Sequence, residues 1–335
     1  MNRPLRLALI GAGGIGHAYA EATRRVDDVE LCYIADVRPE SASVLAATYG
    51  VEPVVDPYEL VDPDRVDLAL LCTPPITHEP LAIAFLEAGV PVMCEKPLAT
   101  SRASAQAILA VADRTGTMLT MASKFRFVDD ITQARAALHA GHLGDVVGVE
   151  VAFSSRVDMR SRWNSDPAVA GGGVLIDNGT HAVDIVRFLL GPVESVLATT
   201  TTVTPGMQVE DTALALLRTR DGHLGTVSVA WSIDRMADRY VGVFGTEGTL
   251  EVGWQQSRLR VGNGPETRIG TGYEKIGALA ANLTNTARAV LGVEDLVVTP
   301  MDAIASVAVV EAGYQSAITG TWTRVRSRMH ERLAG

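Results

Sequence analysis

The chain has 335 residues, 47% of them hydrophobic and 20% charged, enough for a large core and for more than one domain. Its formal net charge of −10 argues against non-specific binding to nucleic acid or to an anionic membrane surface, both of which need cationic patches. No apolar run approaches the ~20 residues of a membrane helix. The N-terminal residues run straight into a strand-like segment, without the long apolar stretch and cleavage site of a secretion signal, so a cytoplasmic protein is expected. Cys32, Cys72 and Cys94 each lie in or beside an apolar run, and their spacings fit neither a zinc site nor a redox pair. They are expected to be buried, reduced thiols.

Along residues 1–122 short apolar runs alternate with helical spacing. Strands are expected at Leu5–Ile10, Val29–Ala35, Val66–Cys72, Val90–Cys94 and Met118–Met121. Helices are expected at Ile15–Val26, Arg38–Tyr49, His78–Ala88 and Ser101–Thr115. This order predicts a doubly wound parallel sheet, an α/β Rossmann-type dinucleotide-binding domain. Residues 123–335 have a different texture. After a helix at Thr132–Ala140, Val- and Thr-rich strands follow at Val146–Phe153, Val193–Val203, Thr212–Thr219, Leu224–Ser232, Tyr240–Phe244 and Thr249–Val252. A helix over Gly173–Leu190 interrupts them, and Met301–Thr319 reads as an amphipathic helix that packs back between the domains. The expectation is a second, α+β domain with an antiparallel sheet. Residues 262–280 are weakly patterned and receive no assignment.

The glycine turn is Gly11-Ala12-Gly13-Gly14-Ile15-Gly16, directly after the first strand and opening the first helix. A tight turn, a backbone free to approach a pyrophosphate, and a helix N-terminus aimed at it are what such a spacing provides. Asp36, twenty positions beyond Gly16 at the end of the second strand, can accept hydrogen bonds from ribose hydroxyls. Its charge repels a 2′-phosphate and favours NAD over NADP, whereas Arg38 offers that phosphate a partner. Thr73-Pro74-Pro75 ends the fourth strand as a rigid lip to the cofactor cleft, with His78 close behind. Glu95-Lys96-Pro97 ends the next strand on the same sheet edge, where ligands of doubly wound sheets bind. A partly desolvated lysine there can hydrogen-bond a reacting hydroxyl.

In the second domain Gly171-Gly172-Gly173 precedes Asp177 and His181, which fall at i and i+4 on one helical face. A carboxylate beside an imidazole orients it and stabilises its cation, and histidine is the usual general base near neutral pH. No third and fourth ligand accompany them, so no metal is expected. Arg156, Arg160, Arg162, Trp163 and Asn164 form a loop that can face a substrate.

Together these motifs resemble the Gfo/Idh/MocA oxidoreductases. The glycine turn, Thr73-Pro74-Pro75 with His78, Glu95-Lys96-Pro97, Phe125-Arg126-Phe127, Trp163, the Gly171–His181 segment and the run Val310-Glu311-Ala312 to Ser316 carry the resemblance over nearly the whole chain. It implies reversible oxidation of a secondary alcohol on a sugar, cyclitol or related polyol, with NAD as cofactor. It implies that Lys96 and His181 handle the substrate proton while Asp177 binds the hydroxyl or orients His181. It also implies that the antiparallel sheet is open and builds a homodimer or homotetramer. Ser123-Lys124, where the family often has a pair containing asparagine before Arg126, and Asn178, where it has an apolar residue, are expected to line the substrate pocket with Arg126, Arg162, Trp163 and Asn164. Two rival activities fit the same motifs: glycoside cleavage assisted by a non-exchanging NAD, and a non-catalytic cofactor or sugar sensor.

Overall fold

Strand β1 (Leu5–Ile10) starts the fold because its side chains are almost all apolar and end up buried on both faces of a sheet. In the computed structural model, which describes residues 3–326 except 236, it is followed by α1 (Gly14–Thr23), β2 (Val29–Ala35), α2 (Pro39–Tyr49) and the short β3 (Glu52–Val54). Next come β4 (Leu68–Leu71), α3 (His78–Glu87), β5 (Val92–Glu95), α4 (Arg102–Thr115) and β6 (Leu119–Ala122). Ser101 caps α4 by accepting a hydrogen bond from the Ser104 amide at 3.1 Å. The six strands are parallel and lie in the order β3-β2-β1-β4-β5-β6, the doubly wound arrangement expected from the sequence.

The second sheet follows α5 (Asp129–His139). Its strands are β7 (Val146–Ser154), β8 (Val193–Thr201), β9 (Thr212–Thr219), β10 (Leu224–Ala230), β11 (Arg239–Gly245), β12 (Gly248–Gly253), β13 (Ser257–Val261) and β14 (Thr267–Ile269). Between β7 and β8 run the single-turn α6 (Pro167–Ala170) and the long α7 (Val174–Leu190). After α8 (Lys275–Val290) and α9 (Pro300–Thr319), β15 (Thr323–Arg324) adds the edge beside β8. The sheet order is β14-β13-β12-β11-β7-β10-β9-β8-β15. All pairs are antiparallel, as expected, except β7 with β10, which makes the sheet mixed. A parallel pair requires a long crossover, and the chain between β7 and β10, α7 included, supplies it.

The chain divides into two compact units. One comprises the residues up to Phe127 together with Glu274–Ile304, and the other comprises Val128–Tyr273 together with the chain from Ala305 on. The first unit therefore recruits α8, which the sequence left unassigned. Leu279, Leu283 and Ala287 of α8 join Ala18 and Ala22 of α1 and Leu7, Leu9, Leu68, Leu70 and Met93 of the sheet in one core. Beyond α8 the chain stays tied to the sheet: Thr120 donates to the Val298 carbonyl at 2.7 Å, and Asn285 accepts from the Val297 amide at 3.0 Å. In α9 the residues Ser306, Val307, Ala308, Val309 and Val310 are buried in succession. It is thus a helix covered all round through its middle rather than an amphipathic one. Cys72 and Cys94 are buried as expected, but Cys32 is only half-buried, because its strand has one face partly open.

Asp67, just ahead of β4, accepts from the Arg6 amide at 2.8 Å and pairs with the guanidinium groups of Arg6 and Arg3 at 2.9 and 2.6 Å. Burial pushes its carboxyl up, but these hydrogen bonds outweigh that and hold it well below the usual carboxylate range. A folded-state value below the unfolded one gives stability that is complete above about pH 4 and lost as the pH falls further. The thermal midpoint of Asp67→Asn should therefore be lower than wild type at neutral pH and should converge with it on acidification. Parallel profiles for the two proteins would show that Asp67 is not an acid-sensitive tie.

Candidate active site

The glycine turn lies at the carboxyl edge of the parallel sheet. Gly11 has φ +106°, a value that strains any residue with a side chain. Gly13 and Gly14 face open space, with no atom within 4 Å of where a Cβ would stand. Beside them Asp36 accepts from the Ala12 amide at 2.9 Å and from the Arg38 amide at 2.9 Å. The Arg38 guanidinium folds back onto the same carboxylate at 3.1 Å. Burial raises the Asp36 carboxyl, but the hydrogen bonds from Arg38 and Ala12 lower it further, so it stays anionic. The Arg38 side chain, the partner on offer to a 2′-phosphate, is bonded to Asp36 here. An open glycine cradle at a helix N-terminus, next to an anionic strand end, fits the pyrophosphate and ribose of NAD.

Across the next two strand ends His78 joins the Thr73 and Lys96 loops. Its ring is buried, with Nδ1 at 2.9 Å from the Pro97 carbonyl and Nε2 at 2.9 Å from the Thr73 carbonyl. Both ring nitrogens thus face backbone carbonyls, and burial favours the neutral ring, whose single N–H donates to one of the two. Expected to bind the cofactor, His78 is buried and instead braces the Thr73 and Lys96 loops against each other. Thr73 and Pro74 are half-buried, and the Thr77 hydroxyl bonds Thr73 Oγ1 at 2.7 Å. Glu95 is buried and accepts from the Lys96 amide at 2.9 Å; Lys96 itself is half-buried at the strand end. Arg126 was expected to meet substrate. It is 4% exposed, ion-paired with Asp302 at 3.2 Å and bonded to the Val297 carbonyl at 3.2 Å, so it anchors the 295–302 segment. The buried guanidinium is in turn satisfied by that carboxylate and carbonyl. Lys124 places its ammonium 5.4 Å from the Phe125 ring centroid.

In the second unit α7 carries Asp177 and His181, both half-buried, along with Asn178. Asp184, on nearly the same face, is buried and occupied by Ser306 at 3.2 Å and Arg187 at 3.6 Å. The start of α7 is held by two residues that sequence reasoning missed. The Glu210 carboxylate accepts from the Gly173 amide at 3.0 Å and the Leu175 amide at 3.0 Å, while the Glu210 carbonyl accepts from the Val174 amide at 2.9 Å. Tyr314 Oη accepts from the Ile176 amide at 3.2 Å and donates to Glu210 at 2.7 Å. Burial, reinforced by the Glu210 charge, raises the Tyr314 phenol above its usual range and keeps it a donor. Nothing local marks either residue, since one lies in a loop and the other among small residues of α9.

The His181 ring meets Phe153 edge-on at 6.4 Å, and Phe153 stacks on Tyr240 at 5.6 Å. A bulge between Arg239 and Val241 breaks the strand alternation. Arg239 pairs outward with Glu150 at 3.0 Å, while Tyr240 turns to the helix-covered face. In the loop after β7, Arg160 pairs with Asp158 at 2.7 Å and Arg156 with Asp234 at 3.8 Å, both at the surface. Arg162 and Trp163 are exposed, and Asn164 is half-buried.

A doubly wound sheet with an open glycine cradle, joined to a unit that offers an Asp–His pair, defines a dinucleotide-dependent oxidoreductase. Residues 5–123 match the model of the oxidoreductase family with an NAD-binding Rossmann fold, and residues 131–251 match the GFO/IDH/MocA C-terminal domain. The chain belongs to the Gfo/Idh/MocA family, and its relatives are sugar and cyclitol dehydrogenases. It is 30% identical to the rhizopine catabolism protein MocA of Rhizobium meliloti, over 73% of this chain and 77% of that protein. It is 29% identical to D-apiose dehydrogenase of Paraburkholderia graminis, over 79% of this chain and 71% of that one. Among solved structures, GenD2 from gentamicin A biosynthesis in complex with NAD superposes with a TM-score of 0.86 at 30% identity, covering 98% of each chain.

Proposed function

We propose that this enzyme interconverts a secondary alcohol and the corresponding ketone on a sugar, cyclitol or related polyol, using NAD, with Lys96, Asp177 and His181 handling the hydroxyl proton. The observation that carries this reading is the pairing of Asp177 with His181 at i and i+4 on a helix whose first turn is fixed from outside. NAD, when bound, supplies the two-electron oxidant or reductant. The protein's task is to hold the reacting carbinol and take its proton as the C–O bond becomes C=O. An imidazole beside a carboxylate can accept that proton and keep the resulting cation stabilised. A lysine ammonium can hydrogen-bond the same oxygen and offset the charge that develops on it. The protein is expected to work in the cytoplasm. Among the described residues no helix is long and apolar enough to cross a membrane, and the cysteines are free.

The test is absorbance at the NADH band with purified protein, NAD or NADP, and a panel of cyclitols, aldoses, sugar acids and their keto forms. Turnover of free cofactor by a panel member, with NAD preferred, is the expected result. Release of an aglycone without net cofactor turnover would replace this reading by redox-assisted glycoside cleavage. Cofactor binding without either outcome would replace it by a sensor.

A second copy of the chain is expected to cover the outer face of the mixed sheet. In β9 the side chains alternate, with Ala213, Ala215 and Leu217 buried while Leu214 and Leu216 point out, 52% and 45% exposed. Leu224 on β10, opposite Arg218 and diagonal to Leu216, is 48% exposed. An apolar stripe of this kind on a flat sheet suits a self-complementary interface. Light scattering should give a multiple of the 35.5 kDa chain mass for wild type and a smaller particle for Leu214→Glu combined with Leu216→Glu. A monomeric wild type would refute the interface.

A further inference from the structure

We propose that Glu210 and Tyr314 are positioning residues for the reaction: they clamp the first turn of α7 and thereby aim Asp177 and His181. The inference rests on the proton-handling role proposed for that pair. An ordinary helix cap comes from the residue just before the helix. Here that residue is Gly173, which has no side chain to offer, and the capping is done from far along the chain, by Glu210, 37 positions from Gly173, and Tyr314, 138 positions from Ile176. The amides of Gly173, Val174, Leu175 and Ile176 are all satisfied by these two residues. They are the groups a helix start leaves without intrahelical partners. The next amide, that of Asp177, is the first to bond within the helix, to the Gly173 carbonyl at 3.1 Å. Asp177 therefore sits directly on the clamped turn, and His181 one turn further along the same face.

The glycines before the helix are shaped by the clamp. A Cβ on Gly172 would lie 2.1 Å from Tyr314 Oη, and one on Gly173 would lie 1.9 Å from the Glu210 carbonyl. The segment gives up side chains where Glu210 and Tyr314 close on it. Tyr314 also links the two halves of the clamp, since one hydroxyl accepts from the helix and donates to the carboxylate that grips the preceding amides. Its loss frees the Ile176 amide and removes one hydrogen bond from Glu210 Oε1, which then accepts only from the Gly173 and Leu175 amides, so the turn is less firmly held. Reacting groups displaced by about 1 Å can lose roughly 10²-fold in rate.

The test compares wild type, Tyr314→Phe, Glu210→Gln, His181→Ala and Val243→Ala, the last a cavity in the buried sheet remote from the clamp. Turnover is measured well below each thermal midpoint on the best substrate of the panel, NADH affinity by fluorescence titration, and the His181 ring by carbon-13 histidine NMR. The His181 signal is the one missing from His181→Ala. Tyr314→Phe is expected to lower kcat about 10- to 100-fold with KM and NADH affinity nearly unchanged, and to shift the His181 signal. Val243→Ala, comparably destabilised, should do neither. If Tyr314→Phe and Glu210→Gln match Val243→Ala in kcat and leave the ring signal in place, the clamp is overturned, and the NMR arm decides this without a substrate. If His181→Ala keeps wild-type turnover, it is the catalytic reading that fails, and the clamp's role falls with it.

Discussion

Lys96→Ala should lower kcat by about 10²- to 10⁴-fold, the range spanned by a positioned acid–base group, while NADH affinity and the thermal midpoint stay near wild type. The clean separation is expected because the backbone at Lys96 does not depend on its side chain. The Lys96 amide is held by Glu95 at 2.9 Å, and the Pro97 carbonyl is held by His78 at 2.9 Å. The preceding strand, Val92–Glu95, is buried throughout. Truncation at Cβ leaves that frame intact and removes only the ammonium and its stem. Steady-state kinetics, fluorescence titration with NADH and a melting curve on the same preparation separate the terms. Unchanged turnover would remove Lys96 from the chemistry. A joint loss of turnover and of NADH affinity would make it a cofactor ligand first.

The parallel sheet was legible because each of its longer strands is a nearly continuous apolar run closed by a turn signal, and because the glycine turn fixes where β1 ends. β3 was not legible: at Glu52–Val54 it is a three-residue edge strand with a proline, and it offers neither alternation nor length. α8 escaped for another reason. Its apolar positions Ile276, Leu279, Ala280, Leu283 and Ala287 do keep helical spacing, but Gly270, Gly272 and Gly277 dilute the window in which the helix begins. The usable signal was Glu274, whose carboxylate caps the Ile276 and Gly277 amides. At the site the sequence marked groups able to carry chemistry but not the groups that hold them in place. His78 and Arg126 were read as ligand contacts because their side chains can bind ligands. Their tertiary partners, the Pro97 carbonyl and Asp302, lie in segments that only the fold brings near. Glu210 and Tyr314 are the converse case, since they act through backbone amides and no residue pattern reports that.

Gly11→Ala should abolish NADH binding and destabilise the protein, whereas Gly13→Ala should weaken NADH binding alone. At Gly11 an alanine must adopt φ +106°, and its Cβ would lie 2.6 Å from the Cys72 carbonyl oxygen and 3.0 Å from the Thr73 amide nitrogen. Those neighbours are backbone and cannot swing aside. The Gly11 amide is bonded to Ala35 at 2.7 Å and the Cys72 amide to Ile10 at 2.7 Å, so β1 is fixed between β2 and β4 where the clash falls. Backbone strain of this type costs about 1–3 kcal/mol, and relieving the clash must also part β1 from β4 and move Thr73. At Gly13 the backbone is extended, with φ −82° and ψ −174°, and an added methyl would meet nothing in the protein. Any loss there comes from filling the cradle in which the pyrophosphate is expected to lie. Melting curves paired with NADH titrations distinguish the two variants. If Gly13→Ala binds NADH as wild type does, the pyrophosphate does not approach this turn. If Gly11→Ala melts as wild type does, the turn is free to relax, and its glycine is there for the ligand rather than for the strand packing.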